Sequence, residues 1–222
     1  MTLALGRRDD RPALHSLPRL VLASASPRRL ALLTQIGVSP EAVLPAEIDE
    51  TPRPREAPRP LAERLAKEKA LASAAIAEKR ADLVPCLTLG ADTVVGVGRR
   101  ILPKCETPEE AEACLALLSG RGHRVFTGLA LVAASGSVRR RLVETRLRFK
   151  RLSRSEVEAY LASGEWRGKA GGYAIQGLAG AFVERLVGSY SNVVGLPLAE
   201  TAALLAGEGY HVHRRWDASL IR

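Results

Sequence analysis

Four residues near the start of the chain have the types and spacing expected of a phosphate-binding site. Ser24, Ser26, Arg28 and Arg29 follow a short apolar run, Leu20–Leu22, that has the character of a strand. Ser26 is a favourable N-cap, so a helix is predicted to begin there and to direct its unpaired N–H groups and positive dipole end at an anion. The serine hydroxyls and the guanidinium groups would add further donors. The same residues also suit an ordinary capped helix with solvated arginines.

Two charged residues stand at the ends of apolar patterns. Lys69 extends an apolar row on a long helix predicted over residues 60–80, where a lysine either faces a functional site or snorkels at the edge of the buried face. Asp92, followed by Thr93, comes directly after a predicted buried strand, Leu87–Ala91. Open α/β sheets place chemistry at such strand ends, although an aspartate there can equally form a turn or cap a helix.

Two loop segments contain further candidates. Residues 40–60 are rich in proline and acidic residues, including Glu50, and predict an extended loop. Residues 168–180 are dense in glycine, and Lys169 and Gln176 are the polar exceptions. Glycine-rich backbone can approach a ligand closely, but it can also serve only to form turns.

Length, composition and charge limit the classes to which the protein can belong. The chain has 222 residues, of which 46% are hydrophobic, enough for one α/β domain or two small ones. No apolar run approaches the roughly 18 residues of a membrane-spanning helix or the pattern of a secretory signal, so a cytoplasmic location is expected. The net charge of +9 suits either nucleic acid or a small phosphorylated substrate, while an aromatic content of 4% is low for a protein that stacks bases.

The order of the predicted elements favours a mixed α/β sheet. Residues 1–18 are predicted to be a flexible extension that precedes a single domain over residues 19–222. Capping and turn signals predict the remaining elements. These are helices over 107–120, 153–164 and 197–206, and strands over 101–102, 123–133, 138–150, 181–187 and 211–213.

Three other patterns are interpreted as structural. Residues 145–150 alternate basic and apolar side chains, which predicts a strand with one basic, solvated face. His211 and His213 are expected to share a face of the last strand as a surface pair, because no third metal ligand is evident. The three cysteines lack the spacing of a metal site and argue against a disulfide framework.

Short motifs spaced along most of the chain form a set. They are S-A-S-P-R-R at 24–29, E-I-D-E at 47–50, A-K-E-K-A at 66–70, G-A-D-T-V-V at 90–95, Lys104, G-H-x-V-x-T-G at 122–128, K-A-G-G-Y-A-I-Q-G at 169–177 and V-G-L-P-L at 194–198. In this order, the set resembles the Maf family of nucleotide pyrophosphatases and covers nearly everything from Arg19 to Gly207. One departure is Cys105, which follows Lys104 where family members typically have proline.

The resemblance implies a fold and an activity. It implies a Maf/inosine-triphosphatase-like α/β fold, with a mixed, elongated sheet flanked by helices and two lobes around a central cleft. Family members hydrolyse nucleoside triphosphates to the monophosphate and pyrophosphate with a divalent metal. The resemblance assigns catalytic positions to Asp92 as proton acceptor, Glu50, Lys69 and Lys104. It also assigns positions that tune substrate choice to Arg28, Thr93 and Gln176, and the I-Q-G sequence is similar to the branch that prefers dTTP and UTP.

These residue types suit that reaction. Asp92 and Glu50 are predicted to hold Mg²⁺ or Mn²⁺, because oxygen ligands favour hard cations, and Asp92 to orient or deprotonate the attacking water. The helix start at Ser26, the two arginines and the two lysines are predicted to hold the triphosphate. The expected partner is therefore a nucleoside triphosphate, without a membrane or a specific nucleic acid, and a homodimer is plausible. The alternative is a non-catalytic cell-division regulator or nucleic-acid-binding protein that uses the basic surface.

Overall fold

The structure of the chain is a computed structural model that describes residues 18–216. The strands are β1 (Arg19–Leu22), β2 (Ala42–Val43), β3 (Cys86–Val97), β4 (Arg100–Leu102), β5 (Lys104–Cys105), β6 (Gly122–Val132), β7 (Val138–Phe149), β8 (Lys169–Ala170) and β9 (Val183–Val187). The α-helices are α1 (Pro27–Gln35), α2 (Pro58–Ala77), α3 (Pro108–Leu118), α4 (Arg154–Ser163), α5 (Tyr190–Val194) and α6 (Leu198–Gly207). Short 3₁₀ helices lie at Leu178–Phe182 and Val212–Arg215.

These strands confirm the predicted mixed α/β architecture. Seven of them form one sheet in the order β2-β1-β3-β6-β7-β9, and β4 also pairs with β3. β1 is parallel to β2 and β3, whereas the pairs β3–β6, β6–β7 and β7–β9 are antiparallel. The strands β5 and β8 form a separate two-stranded sheet. Parallel and antiparallel pairs therefore meet at β3.

The side chains of β3 alternate between two faces of the sheet, as in any strand. Leu87, Leu89 and Ala91 pack with apolar residues of α1 and α6 in one core cluster. Gly90 and Asp92 point to the other face, where α2 lies. Because successive side chains of a strand point to opposite faces, Asp92 faces α2.

Asp92 does not lie at the end of its strand as predicted, because β3 continues to Val97. The sequence after Asp92 is as β-prone as the sequence before it, so hydrogen bonding with β6 extends the strand. The parallel neighbour is what ends here, since β1 pairs with β3 only as far as Leu89. β4 joins the same edge only from Val95 onwards. Between these two neighbours, the edge of β3 near Asp92 has no strand partner in the described part of the chain.

Helix α2 lies directly on the backbone of the sheet. A Cβ atom at Gly90 would come within 2.6 Å of the carbonyl oxygen of Ala66, and one at Gly128 within 2.2 Å of that of Ala62. Small residues on both surfaces therefore allow the close contact. Less than one turn beyond Ala66, Lys69 projects over the sheet.

The predicted bounds of several elements need correction. Helix α2 begins at Pro58 and ends at Ala77, not at 60 and 80, because two prolines are tolerated in its first turn. The predicted loop over 40–60 contains the two-residue strand β2. α5 and the β5–β8 pair were not predicted. Apart from β3, the bounds of the other predicted helices and of the strands that form differ by at most two residues from the prediction.

The predicted final strand over 211–213 is wrong. Val212–Arg215 form a 3₁₀ helix, and Val212 anchors this turn in the same core cluster as Leu205 and Tyr210. A single 3₁₀ turn is enough to bury one apolar residue, whereas a strand would also need hydrogen bonds to the edge of a sheet. His213 is exposed and His211 is partly buried, with ring centroids 5.8 Å apart.

The structure does not test the predictions about the N-terminal extension and the domain organisation. The predicted flexible extension falls almost entirely outside the described residues, and the single domain with two lobes stays a prediction. Within residues 18–216, none of the helices combines the length and the apolar character needed to cross a membrane.

Candidate active site

A cleft of about 390 Å³ opens beside the unpaired edge of β3. It brings together all eleven residues that the sequence analysis selected. They are Ser24, Ser26, Arg28, Arg29, Glu50, Lys69, Asp92, Thr93, Lys104, Lys169 and Gln176. Five of these side chains are cationic and two are carboxylates, so the lining is suited to a polyanion.

Four of the charged residues form a continuous chain of ion pairs. The ammonium nitrogen of Lys69 lies 2.6 Å from Oδ1 of Asp92 and 2.7 Å from Oε1 of Glu50. The ammonium of Lys104 donates to Oε2 of the same Glu50. The two carboxylates and the two ammonium groups that the resemblance assigns to catalysis are therefore in direct contact, although they come from three elements and a loop.

The residues of this chain of ion pairs differ in how deeply they are buried. Asp92 is 3% exposed and Lys69 is 8% exposed, whereas the side chain of Lys104 is 50% exposed. Lys69 therefore lies within the buried face of α2 and does not snorkel at its edge. Burial raises the pKa of the Glu50 carboxyl, but hydrogen bonds from Lys104 and Lys69 outweigh it and hold that pKa below its ordinary value. Glu50 is consequently an anion at neutral pH.

Helix α1 begins as predicted, but its first turn is organised by a different serine. Ser26 is the N-cap residue, yet its hydroxyl makes no capping hydrogen bond. The hydroxyl of Ser24 instead accepts hydrogen bonds from the N–H of Ser26, at 3.3 Å, and from Nη1 of Arg29, at 2.9 Å. Ser24 thus shapes the loop, and the hydroxyl of Ser26 is available to a ligand.

Arg29 is fixed by three hydrogen bonds. Its Nε donates to the carbonyl oxygen of Gly195 at 2.9 Å, and Nη2 donates to Oγ1 of Thr93 at 3.3 Å, in addition to the contact with Ser24. A guanidinium has five N–H donors, so two remain for an anion. Burial lowers the pKa of Arg29, and the negative charge of Asp92 acts against this shift.

The hydrogen bonds of Thr93 restrict what it can offer a substrate. The hydroxyl of Thr127 donates its one proton to the carbonyl oxygen of Asn192, at 3.0 Å. In the 2.9 Å contact between the two threonine hydroxyls, Thr93 must therefore be the donor. Its proton is used there, so Thr93 can accept a hydrogen bond from a ligand but cannot donate one.

The far side of the cleft is formed by the β5–β8 pair and the glycine-dense segment. Lys104 pairs with Ala170 in this small sheet, and Lys169 lies on the neighbouring position. Burial lowers the pKa of Lys169, and the positive charge of Arg28 acts in the same direction. Gln176 is an exposed residue of the lining. Arg28 and Lys169 thus line the same cleft, and neither forms an ion pair with a carboxylate of the described residues.

Sequence reasoning assigned no role to several residues that shape the cleft. Tyr173 lines it, and its hydroxyl lies 2.9 Å from Nε2 of the buried His123. Burial lowers the pKa of His123 to about 4, so the imidazole is neutral. Asn192 is fully buried, and its Nδ2 donates to Oγ1 of Thr145 at 2.9 Å. His123 lies in a quoted motif, but only the folded chain reveals the contacts of Asn192.

Comparison with known proteins accounts for this arrangement. A family model described as Maf-like protein matches residues 19–208. The chain belongs to the Maf family. The match includes every residue of the cleft named above.

Curated relatives resemble this Maf chain over almost their full length. A protein from Mesorhizobium japonicum named dTTP/UTP pyrophosphatase is 62% identical over 200 residues, which cover 90% of this chain and 96% of that protein. A protein from Brucella abortus with the same name is 61% identical over 203 residues, covering 91% and 98% of the two chains. Among solved structures, a HAM1 protein from Coxiella burnetii aligns with 86% of this chain and 100% of its own, with 16% identity and a TM-score of 0.44.

The carboxylates of the Maf cleft suit a divalent cation by their chemistry. Mg²⁺ and Mn²⁺ prefer oxygen ligands, which Asp92 and Glu50 supply. Within residues 18–216, no group of three or more His, Cys, Asp or Glu side chains could hold a metal ion. Two carboxylates complete only part of an octahedral shell, so the other ligands of a bound cation would be phosphate oxygens and water.

Proposed function

We propose that this chain hydrolyses dTTP and UTP between the α- and β-phosphates, releasing the nucleoside monophosphate and pyrophosphate. The single observation that carries the proposal is the cleft itself. It places a buried aspartate with a lysine beside partly buried cations that have no carboxylate partner among the described residues. The names of the curated relatives support the choice of dTTP and UTP. Modified pyrimidine nucleotides and a cytoplasmic housecleaning role are part of the same proposal.

Asp92 is the group proposed to orient and deprotonate the attacking water. Lys69 occupies Oδ1, whereas Oδ2 has no hydrogen bond or ion pair to the described residues. A water molecule bound at Oδ2 would be oriented by this buried carboxylate. General-base assistance of this kind contributes about 10²–10⁴-fold to the rate.

The cationic residues are proposed to hold the triphosphate and to stabilise the leaving pyrophosphate. The two free N–H donors of Arg29 and the start of α1 are available to phosphate oxygens in the cleft. Lys104 and Lys169 line the same cleft and supply further positive charge. Because these groups are ordered before substrate binds, little reorganisation is needed as charge builds on the leaving group.

A divalent cation, when bound, would neutralise phosphate charge and lower the pKa of a bound water. Asp92 and Glu50 are the residues proposed to hold it. Gln176 is proposed to recognise the base, because its amide can donate to a pyrimidine carbonyl and accept from N3–H.

The proposal is tested by incubating the purified protein with dTTP, UTP, CTP, GTP and 7-methyl-GTP and separating the products. Each reaction is run with Mg²⁺, with Mn²⁺ and with a chelator. We expect metal-dependent release of pyrophosphate and monophosphate, fastest from dTTP and UTP. Release of orthophosphate would contradict the proposed bond, and equal rates on all bases would contradict the proposed specificity.

A further inference from the structure

The position between the two carboxylates of the cleft is already taken by a cation of the protein. The ammonium nitrogen of Lys69 lies 2.6 Å from Asp92 and 2.7 Å from Glu50, so one positive charge pairs with both anions. Lys104 pairs with the remaining oxygen of Glu50. Oδ2 of Asp92 is the carboxylate oxygen of this pair that has no ion-pair partner in the described part of the chain.

The packing of α2 keeps the ammonium in this place. Ala66 and Ala70 contact the sheet at Gly90, where a Cβ atom would meet both of them at less than 3.0 Å. The backbone that carries Lys69 is therefore seated directly on the sheet in this structure. Rotation of the lysine side chain would free Asp92, and the ammonium would then need another anion, because a buried unpaired charge is strongly unfavourable.

The geometry points to metal binding that depends on nucleotide, with Lys69 as the residue that imposes this order. Without nucleotide, Lys69 pairs with both Asp92 and Glu50 and repels a second cation. A bound triphosphate offers the ammonium a phosphate oxygen, and it also supplies the oxygen ligands that two carboxylates lack. The cation therefore enters together with the nucleotide. This inference rests on the proposed function, since it requires a triphosphate in the cleft.

The first test measures Mn²⁺ retained by the wild-type protein in equilibrium dialysis. One set of cells contains Mn²⁺ alone, and another contains Mn²⁺ with a dUTP analogue that has an imido group between the α- and β-phosphates. We expect at least about tenfold more Mn²⁺ on the protein when the analogue is present, because the unit charge of Lys69 then no longer opposes the cation. Equal retention in the two sets would overturn the inference.

The second test removes the ammonium. Lys69→Met keeps the length of the side chain and leaves Asp92 beside Glu50 without their shared cation. This variant is expected to retain Mn²⁺ without nucleotide at least about tenfold better than wild type. Lys104→Met is the matched control, because Lys104 contacts Glu50 alone and is half exposed, so its gain should be smaller. Circular dichroism confirms that each variant is folded.

A folded Lys69→Met variant that still needs the analogue would overturn the role of Lys69. If this variant does not fold, Lys69→Gln, which also removes the charge, replaces it in the same cells. The same wild-type preparation is assayed for dTTP hydrolysis. Active enzyme with equal Mn²⁺ retention in both sets contradicts only the order of binding, whereas inactive enzyme that does not bind the analogue contradicts the proposed function as well.

Discussion

Two groups of cationic side chains in this molecule differ in what neutralises them. On β7, Arg146 and Arg148 are 66% and 59% exposed, and each pairs with a glutamate. In the cleft, Arg28, Arg29 and Lys169 are partly buried, and none forms an ion pair with a carboxylate of the described residues. Burial lowers the pKa of all three. The first group is exposed to water and paired with carboxylates, whereas the second carries positive charge that no carboxylate of the described residues neutralises.

This difference shows why net charge alone does not locate the function. The surplus of +9 is compatible with nucleic acid, and much of it lies on the outer face of β7. Surface ion pairs of that kind contribute little and are screened by salt. Partly buried cations beside two carboxylates indicate a functional site more specifically, because removing a charge from water has an unfavourable desolvation free energy. If the cleft is the functional site, activity should change with substitutions in the cleft and not with substitutions on the exposed face of β7.

Asp92→Asn should have the largest effect on activity. The substitution keeps a hydrogen-bond acceptor for Lys69 but removes the base, so kcat for dTTP should fall by about 10²–10⁴-fold. Steady-state kinetics with Mg²⁺ measures this loss, and a thermal melt shows whether the fold is kept. Near-native turnover in a folded variant would remove Asp92 from the mechanism and would weaken the contrast between the cleft and β7.

Gly128→Ala tests whether packing holds the charges of the cleft in place. The new methyl group would lie 2.2 Å from the carbonyl oxygen of Ala62, so α2 must move away from the sheet, at a cost of about 3 kcal/mol in unfolding free energy. Gly207→Ala is the matched control, because a Cβ atom there meets nothing within 4 Å. Urea unfolding should show a loss for the first variant and no loss for the second. Equal stabilities would mean that the helix is not seated as described.

The buried, neutral His123 should make the free energy of unfolding depend on pH. Its pKa is lowered from 6.5 to about 4 by burial, so the unfolded chain binds a proton in this range before the folded chain does. The stability that the neutral imidazole contributes is present above pH 6.5 and is lost as pH falls, by about 3 kcal/mol at pH 4. His123→Gln does not titrate. Urea unfolding between pH 7 and pH 4 should therefore show a smaller loss for the variant, and parallel curves would contradict the buried neutral state.

Gln176→Glu should alter the choice of substrate more than the fold. A carboxylate cannot donate to a pyrimidine carbonyl, so kcat/KM for dTTP and UTP should fall by about 10- to 100-fold, the range of one lost hydrogen bond in a binding site. Because Gln176 is exposed, the thermal melt should not change. The ratio of pyrimidine to purine turnover is the deciding measurement. An unchanged ratio would show that another group recognises the base.

Local sequence signals predicted which residues line the cleft better than they predicted how strands and helices bring those residues together. Ser26 and the capping boxes at Thr107 and Ser153 mark helix starts that the structure contains, because caps depend on neighbouring residues. The family resemblance supplied Lys104 and the roles. By contrast, Asp92 lies in mid-strand because the pairing of β3 with β6 continues beyond it, and the open edge beside Asp92 depends on where β1 and β4 pair with β3. No local pattern contains that information.

Contacts between distant segments were the least accessible to sequence reasoning. α5 has five residues, too few to show a helical period, and it was not predicted. Its Asn192 contacts Thr145, which is 47 residues away, and the carbonyl of Gly195 holds Arg29. The pairing of Lys69 with Asp92 likewise depends on glycines of two strands that admit α2. Such contacts follow from sheet register, which the sequence specifies only through the whole fold.

The double variant Arg146→Ala and Arg148→Ala should have the smallest effect, and it is the direct test of the comparison. Both side chains are more than half exposed and paired with glutamates, so kcat/KM for dTTP should stay within about twofold and stability within about 1 kcal/mol. A protein that used this face to bind nucleic acid would lose affinity in the variant and would show a steep dependence on salt. Titration with labelled single- and double-stranded DNA and RNA at two salt concentrations measures that alternative. Salt-sensitive binding that disappears in the double variant but survives Asp92→Asn would assign β7 a function of its own, separate from the chemistry of the cleft.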